Sequence, residues 1–248
     1  MTTLFSCSDP GKETHADSSA GIKKLFDTYY EERLPLFPLE ATAIADNRFN
    51  DQLPCDISDS YREKIKAFYK KYLDEISKID RSKLTGEDVL SYDVFKREMQ
   101  IQLEGLSFPD NLMPINQFWG LPLTMGQLGA GGNNQPFKTV KDYDDFLGRI
   151  KGYVIWTDTA IANMRRGMQQ GIVPPKILME RVLPQLQAMV VKDPKESIFY
   201  NPVKAIPASF PENDKSRLTT AYEKAISGEL SPSYKKLYDF VREEYIQK

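Results

Sequence analysis

Few residues in this sequence are equipped for covalent or acid–base chemistry. The 248 residues contain one histidine, His15, and two cysteines, Cys7 and Cys55. A zinc site built from imidazoles and thiolates needs three or four such ligands, so no metal ligand is assigned in this chain. A Ser-His or Cys-His pair is also out of reach, because His15 stands in a polar leader. Neighbouring carboxylates occur at Asp144-Asp145 and Glu243-Glu244. Adjacent positions on a helix do not face each other, so both pairs read as solvated surface. The glycines of Gly126-Gln127-Leu128-Gly129-Ala130-Gly131-Gly132 lack the Gly-Lys-Ser/Thr that a phosphate-cradling loop requires. Catalytic and cofactor-binding residues are therefore set at none. What remains is a binding repertoire. Asn116 and Gln117 each carry an amide donor and acceptor suited to an extended peptide backbone, and Trp119 can pack against a side chain. These three are the candidate lining of a substrate cleft. In the alternative reading, Asn116 and Gln117 satisfy backbone groups of their own loop.

These residues sit in an irregular stretch, Phe108 to Phe137, punctuated by Pro109, Pro114, Pro122 and Pro136. About thirty residues without a strong period are unusual inside a compact domain and often line a site. The elements around it are helical. Ile22, Leu25, Phe26 and Tyr29 share one helical face. Ser60-Tyr61-Arg62-Glu63 fits a capping box that opens a helix with Ile65, Phe68, Tyr69, Tyr72, Leu73 and Ile76 on one side. Lys64, Lys66, Lys70, Lys71 and Lys78 lie largely off that stripe, as a solvated face would. A further helix carries Leu90, Val94, Met99 and Leu103. Thr139 and Asp142 open the longest one, which keeps its spacing from Tyr143 to about Gln170 and stops at Gly171. Pro174-Pro175 opens the next helix, in which Pro184 should produce a kink. Pro211 opens another, stopped by Gly228, and a last helix runs through Tyr234, Leu237, Tyr238, Val241 and Tyr245. No strand-like alternation is sustained. The chain is predicted to be all-α, with eight or nine helices and long loops. Lys and Arg total 33 against 35 Asp and Glu. That balance removes a bulk electrostatic case for nucleic acid.

Residues 1–20 are polar after Cys7 and are expected to be disordered, leaving residues 21–248 as the helical domain. Leu4-Phe5-Ser6-Cys7 resembles a bacterial lipoprotein box, in which the cysteine is acylated and becomes the new N-terminus. The basic region and most of the apolar region that normally precede the box are missing from this sequence. On this resemblance Cys7 is the lipid attachment site, the membrane is reached by that anchor only, and the protein belongs to the bacterial cell envelope, lipid-anchored or periplasmic. Cys55, in Leu53-Pro54-Cys55-Asp56, is then a single thiol.

Ordered blocks along the chain resemble one family. They are Phe37-Pro38-Leu39-Glu40-Ala41-Thr42 with Asp46-Asn47-Arg48-Phe49-Asn50-Asp51, then Ser91-Tyr92-Asp93-Val94-Phe95-Lys96-Arg97-Glu98. Met113-Pro114-Ile115-Asn116-Gln117 and Pro136-Phe137-Lys138-Thr139-Val140-Lys141-Asp142-Tyr143 follow, and Gly171-Ile172-Val173-Pro174-Pro175 leads into Val182-Leu183-Pro184-Gln185-Leu186. Over roughly residues 22–248 this looks like the N-terminal half of the bacterial domain-of-unknown-function 885 proteins, many of them predicted lipoproteins. That family is similar to helical zinc peptidases of the gluzincin type. The resemblance implies a metallopeptidase-like fold whose histidine-glutamate zinc motif lies in the C-terminal half. This chain departs from the pattern there, since its one histidine is in the leader.

The expectation is an N-terminal helical part of an envelope lipoprotein that forms one wall of a substrate cleft and is not catalytic alone. Its implied partners are the C-terminal half of the same protein and a peptide substrate, with zinc held, if anywhere, in that half. The helical pattern at Glu243–Lys248 has no Gly, Asn or Pro stop, as a cut through a longer protein would leave it. The alternative is a complete helical lipoprotein that binds a peptide or glycan without catalysis.

Overall fold

The computed structural model of the chain describes residues 10–132 and 134–247, with side chains from Ser19 onward. The lipid-attachment reading of Cys7 lies outside the described residues. Those described form helices α1 (Pro10–Arg33), α2 (Pro38–Ala43), α3 (Asp59–Ser77), α4 (Glu87–Gly105), α5 (Leu121–Gly129), α6 (Val140–Gln170), α7 (Lys176–Gln187), α8 (Asn201–Lys204), α9 (Glu212–Ala225) and α10 (Ser231–Glu243). No strand occurs among them, and the class is all-α. Helical backbone begins at Pro10, inside the segment expected to be a disordered leader.

The chain divides into two compact units. The smaller holds residues 1–33 and 63–108, and so comprises α1, most of α3, and α4. Its core is Ile22, Ile76, Leu84 and Tyr92, with Leu25, Phe26, Leu73 and Phe95 packed against them. Tyr29 stands amid an aromatic group, its ring centroid 4.9 Å from Tyr72 and from Phe95 and 5.4 Å from Phe68. These contacts come from the 3–4 spacing of apolar residues on amphipathic helices.

The larger unit holds residues 34–62 and 109–248 and is organised around α6, a 31-residue helix. Its start is set by a capping box. Thr139 accepts from the Asp142 amide, and Asp142 accepts from the Thr139 amide. It ends at Gly171, whose φ of 72° places it in the left-handed region that glycine tolerates best. Tyr143, Phe146, Ile150, Tyr153, Trp156, Ala160, Ile161 and Met164 of α6 are buried against α7, α9 and α10 residues such as Val182, Leu218, Tyr222 and Leu237. Pro184 lies inside α7.

Three local expectations change. The opening of α3 is capped by Ser58, which accepts from the Tyr61 amide at 3.2 Å, rather than by Ser60. The stretch 108–137 is not irregular throughout: it contains a short 3-10 turn, Asp110–Leu112, and α5. Pro122 sits in the first turn of α5, where its absent N–H costs nothing. Its glycines serve packing, because a Cβ on Gly129 would stand 2.3 Å from the Phe199 ring and 2.7 Å from Phe146. Finally, Gly228 does not stop a helix. A π-turn, Ile226–Leu230, carries the backbone from α9 straight into α10. Pro232 has no N–H to return to the Gly228 carbonyl, which favours a change of helical register at this point.

Candidate functional site

Segment 34–58 of the larger unit holds only the short α2 and a 3-10 turn, Asn47–Phe49, and α6 supplies what holds the rest of it. From Asp51 to Asp59 the chain runs along α6 in the same direction. A Cβ on Gly148 would lie 2.7 Å from the Asp51 carbonyl oxygen, and one on Gly152 would lie 2.4 Å from that of Leu53. Further along, Trp156 Nε1 donates to Asp56 Oδ1 at 2.8 Å, Asn163 Nδ2 donates to the Ile57 carbonyl at 2.8 Å, and Arg166 pairs with Asp59 at 2.9 Å. The two glycines let the backbones touch, and the polar side chains tie the loop to the helix, Asn163 by satisfying the Ile57 carbonyl.

Arg149 is the centre of this arrangement. It is fully buried. Its Nε donates to the Gln52 carbonyl at 3.2 Å, and one terminal nitrogen donates to Gln135 Oε1. The other donates to Thr42 Oγ1 at 2.6 Å and reaches the Phe49 carbonyl at 3.3 Å and that of Pro38 at 3.4 Å. Burial lowers its pKa to about 10, a shift opposed by Asp145 and Asp51, so the guanidinium stays charged at neutral pH. One side chain thus ties the segments 37–42 and 46–52 to the longest helix.

Asn116 builds a tight turn. Its Oδ1 accepts from the amides of Phe118, at 2.8 Å, and Trp119, at 3.1 Å, while its own amide donates to the Trp119 carbonyl at 3.1 Å. The carbonyl of Gln117 accepts from Gln185 Nε2 at 3.0 Å, which fixes the turn to α7. Gln117 Oε1 is buried and has no partner among the described residues. The turn holds Phe118 and Trp119 outward, 78% and 58% exposed. The space beneath it, between Ile115, Pro122, Val182 and Tyr234, is about 10 Å³, room for one water. A ligand at this place would therefore meet the projecting rings rather than enter a cavity. Phe118 was not singled out in the sequence, although its position beside Trp119 in a turn was a usable signal.

The other titratable pairs serve structure. Asp144 makes a two-pronged pair with Arg217, and Glu244 one with Arg165. Asp145 is a correction to the surface reading: it is buried, bonded to Lys141 at 2.6 Å. The Cys55 thiol is pushed up in pKa chiefly by burial, which leaves it a poor nucleophile. Among the described residues no three His, Cys, Asp or Glu side chains gather in a group able to hold a metal ion. The zinc motif that the sequence resemblance implies belongs to a C-terminal half, and no step here runs through zinc.

The described residues form an all-α protein in which loops are held against a long helix. The family model for bacterial proteins of unknown function designated DUF885 matches residues 38–248, and the chain belongs to that family. Among solved structures it is similar to a crystal structure described as a candidate lipoprotein from Colwellia psychrerythraea, with a TM-score of 0.72 and 14% sequence identity. That match covers 92% of this chain and 41% of the other, so this chain spans less than half the length of the structure it resembles. No curated protein matches the sequence. No helix among the described residues is long and apolar enough to cross a membrane.

Proposed function

We propose that this chain is the helical N-terminal part of an envelope lipoprotein of the metallopeptidase-like kind, anchored through Cys7. In this reading it forms one wall of a peptide cleft and performs no chemistry by itself. The observation that carries it is the partial match, in which nearly all of this chain corresponds to 41% of a longer relative described as a candidate lipoprotein. The Asn116 turn supports the cleft role. Its backbone is bonded within itself and to α7, so Trp119 and Phe118 are presented without the entropic cost of ordering a loose loop.

An apolar depression of about 530 Å³ supports the place of a further segment. It is lined by Met168, Val173, Pro174, Pro175, Met179 and Ile246. Val173 there is 47% exposed, and Ile177 nearby 54%. Apolar surface of this kind marks docking sites. The test is made on the isolated 248-residue chain. It is expected to bind a hydrophobic dye, to lose about half of that signal on Val173→Ser with Ile177→Ser, and to cleave no peptide with or without added zinc. A monodisperse monomer that binds no dye would overturn the reading in favour of a self-contained binding protein.

A further inference from the structure

A further pocket lies in the larger unit, with a lining distinct from that beneath the Asn116 turn and from that of the depression near Ile246. Its walls are Leu36, Phe37, Pro38, Leu39, Leu53, Pro54 and Leu121, and its volume is about 180 Å³. That is the scale of one side chain rather than of a large ligand. The polar groups on it are Glu40, Asp56 and Tyr61, and its lining includes no Lys or Arg. Tyr61 is occupied, its hydroxyl donating to the Leu36 carbonyl. Glu40 stands exposed at the rim. Asp56 is exposed as a residue while its carboxyl is desolvated by surrounding protein, and its Oδ1 accepts from Nε1 of the buried Trp156. Its carboxyl is raised above the ordinary range, first by desolvation and least by the like-charged Asp110, with the Trp156 bond and local amides opposing.

The walls are firm. Arg149 reaches the carbonyls of Pro38 and Gln52, and Leu53 rests on α6 at Gly152. An apolar recess of this size with carboxylates and no cation is built for a group that is apolar along its length and positive at its end.

We propose that this pocket takes a primary ammonium on an aliphatic stem, with the stem against Leu36, Leu39, Leu53 and Leu121 and the charge at Asp56. The ligand chemistry is that of a lysine side chain or of one end of a small polyamine. The proposal does not depend on the metallopeptidase-like reading, and dye binding at the other face leaves it untouched.

Trp156 provides the readout, since it is bonded to Asp56 and is one of two tryptophans. In a Trp119→Phe background it is the only one. N-acetyl-lysine methylamide and putrescine are titrated against the neutral N-acetyl-norleucine methylamide, which keeps the four-carbon stem and lacks the ammonium. A saturable change in Trp156 fluorescence with an ammonium compound is expected, at least about tenfold tighter than any response to norleucine, the scale of one charge-assisted hydrogen bond. Preference for the lysine derivative assigns a peptide source, and preference for putrescine a polyamine; either supports the site. Asp56→Asn is expected to weaken binding about tenfold with the melting temperature retained, and Glu40→Gln to weaken it by a smaller factor. The second variant decides the matter if the first does not fold. Equal responses to lysine and norleucine derivatives, or no saturable response to either ammonium compound, would overturn the proposal.

Discussion

In the smaller unit, Ile22, Ile76, Leu84 and Tyr92 are buried among other apolar and aromatic side chains from α1, α3 and α4. In the larger unit, the longest helix carries a fully buried Arg149, with buried Asp145, Thr157 and Asn163 on the same element. One unit is held by helix faces meeting. The other also holds a loop of weak local preference, and does so with polar groups that reach carbonyls far away in sequence. The difference teaches where function is free to sit. A loop pinned by hydrogen bonds to a rigid helix can expose carboxylates and aromatic rings at fixed positions, which helix packing alone does not provide.

Breaking the polar stitching should have the largest effect. Arg149→Ala leaves the buried acceptors at Thr42 and Gln135 and the part-buried carbonyls of Phe49 and Gln52 without this donor, and a loss of about 3 kcal/mol in urea unfolding is expected. Gly152→Ala comes next. Its Cβ would meet backbone 2.4 Å away at Leu53, which cannot rotate aside, and about 1–3 kcal/mol should be lost. In the smaller unit the graded response of an apolar core is expected instead. Ile76→Val removes one buried methyl group and should cost about 1 kcal/mol in the same assay.

The smallest effect sharpens the comparison through pH. The folded pKa of Asp56 is raised, so the folded chain binds this proton more readily than the unfolded one. Its contribution to stability is therefore greatest at low pH and declines as pH rises from about 4, the ordinary carboxyl value, through the folded value. Asp56→Asn should remove that part of the pH slope while keeping an acceptor for Trp156, as unfolding curves collected from pH 4 to 7 would show.

The all-α class, the capping box at Thr139 and Asp142, and the glycine stop at Gly171 were legible because each rests on neighbours in sequence. The helix in 121–129 was hidden because two glycines and a proline read locally as loop signals, whereas Phe146 and Phe199 make glycine the residue that fits. The π-turn at Ile226–Leu230 was hidden because glycine usually ends a helix. For the site, Trp119 and the Asn116 amide could be picked out by type. Arg149 and Asp56 could not be assigned partners, because those partners lie about a hundred residues apart. A signal was present all the same. Arg149 falls on the apolar stripe between Phe146 and Tyr153, flanked by two interior glycines, a pattern that points to close approach of another backbone.

The central functional claim is that these helices form one wall of a site completed by further chain. Reading the gene past codon 248 tests it most directly. The account predicts an open frame that encodes two histidines one helical turn apart with a nearby glutamate, in a region able to dock at the face around Val173 and Ile246. A stop codon directly after Lys248 would contradict it, and would leave the ammonium pocket and the Trp119 turn as the binding surfaces of a protein without that chemistry.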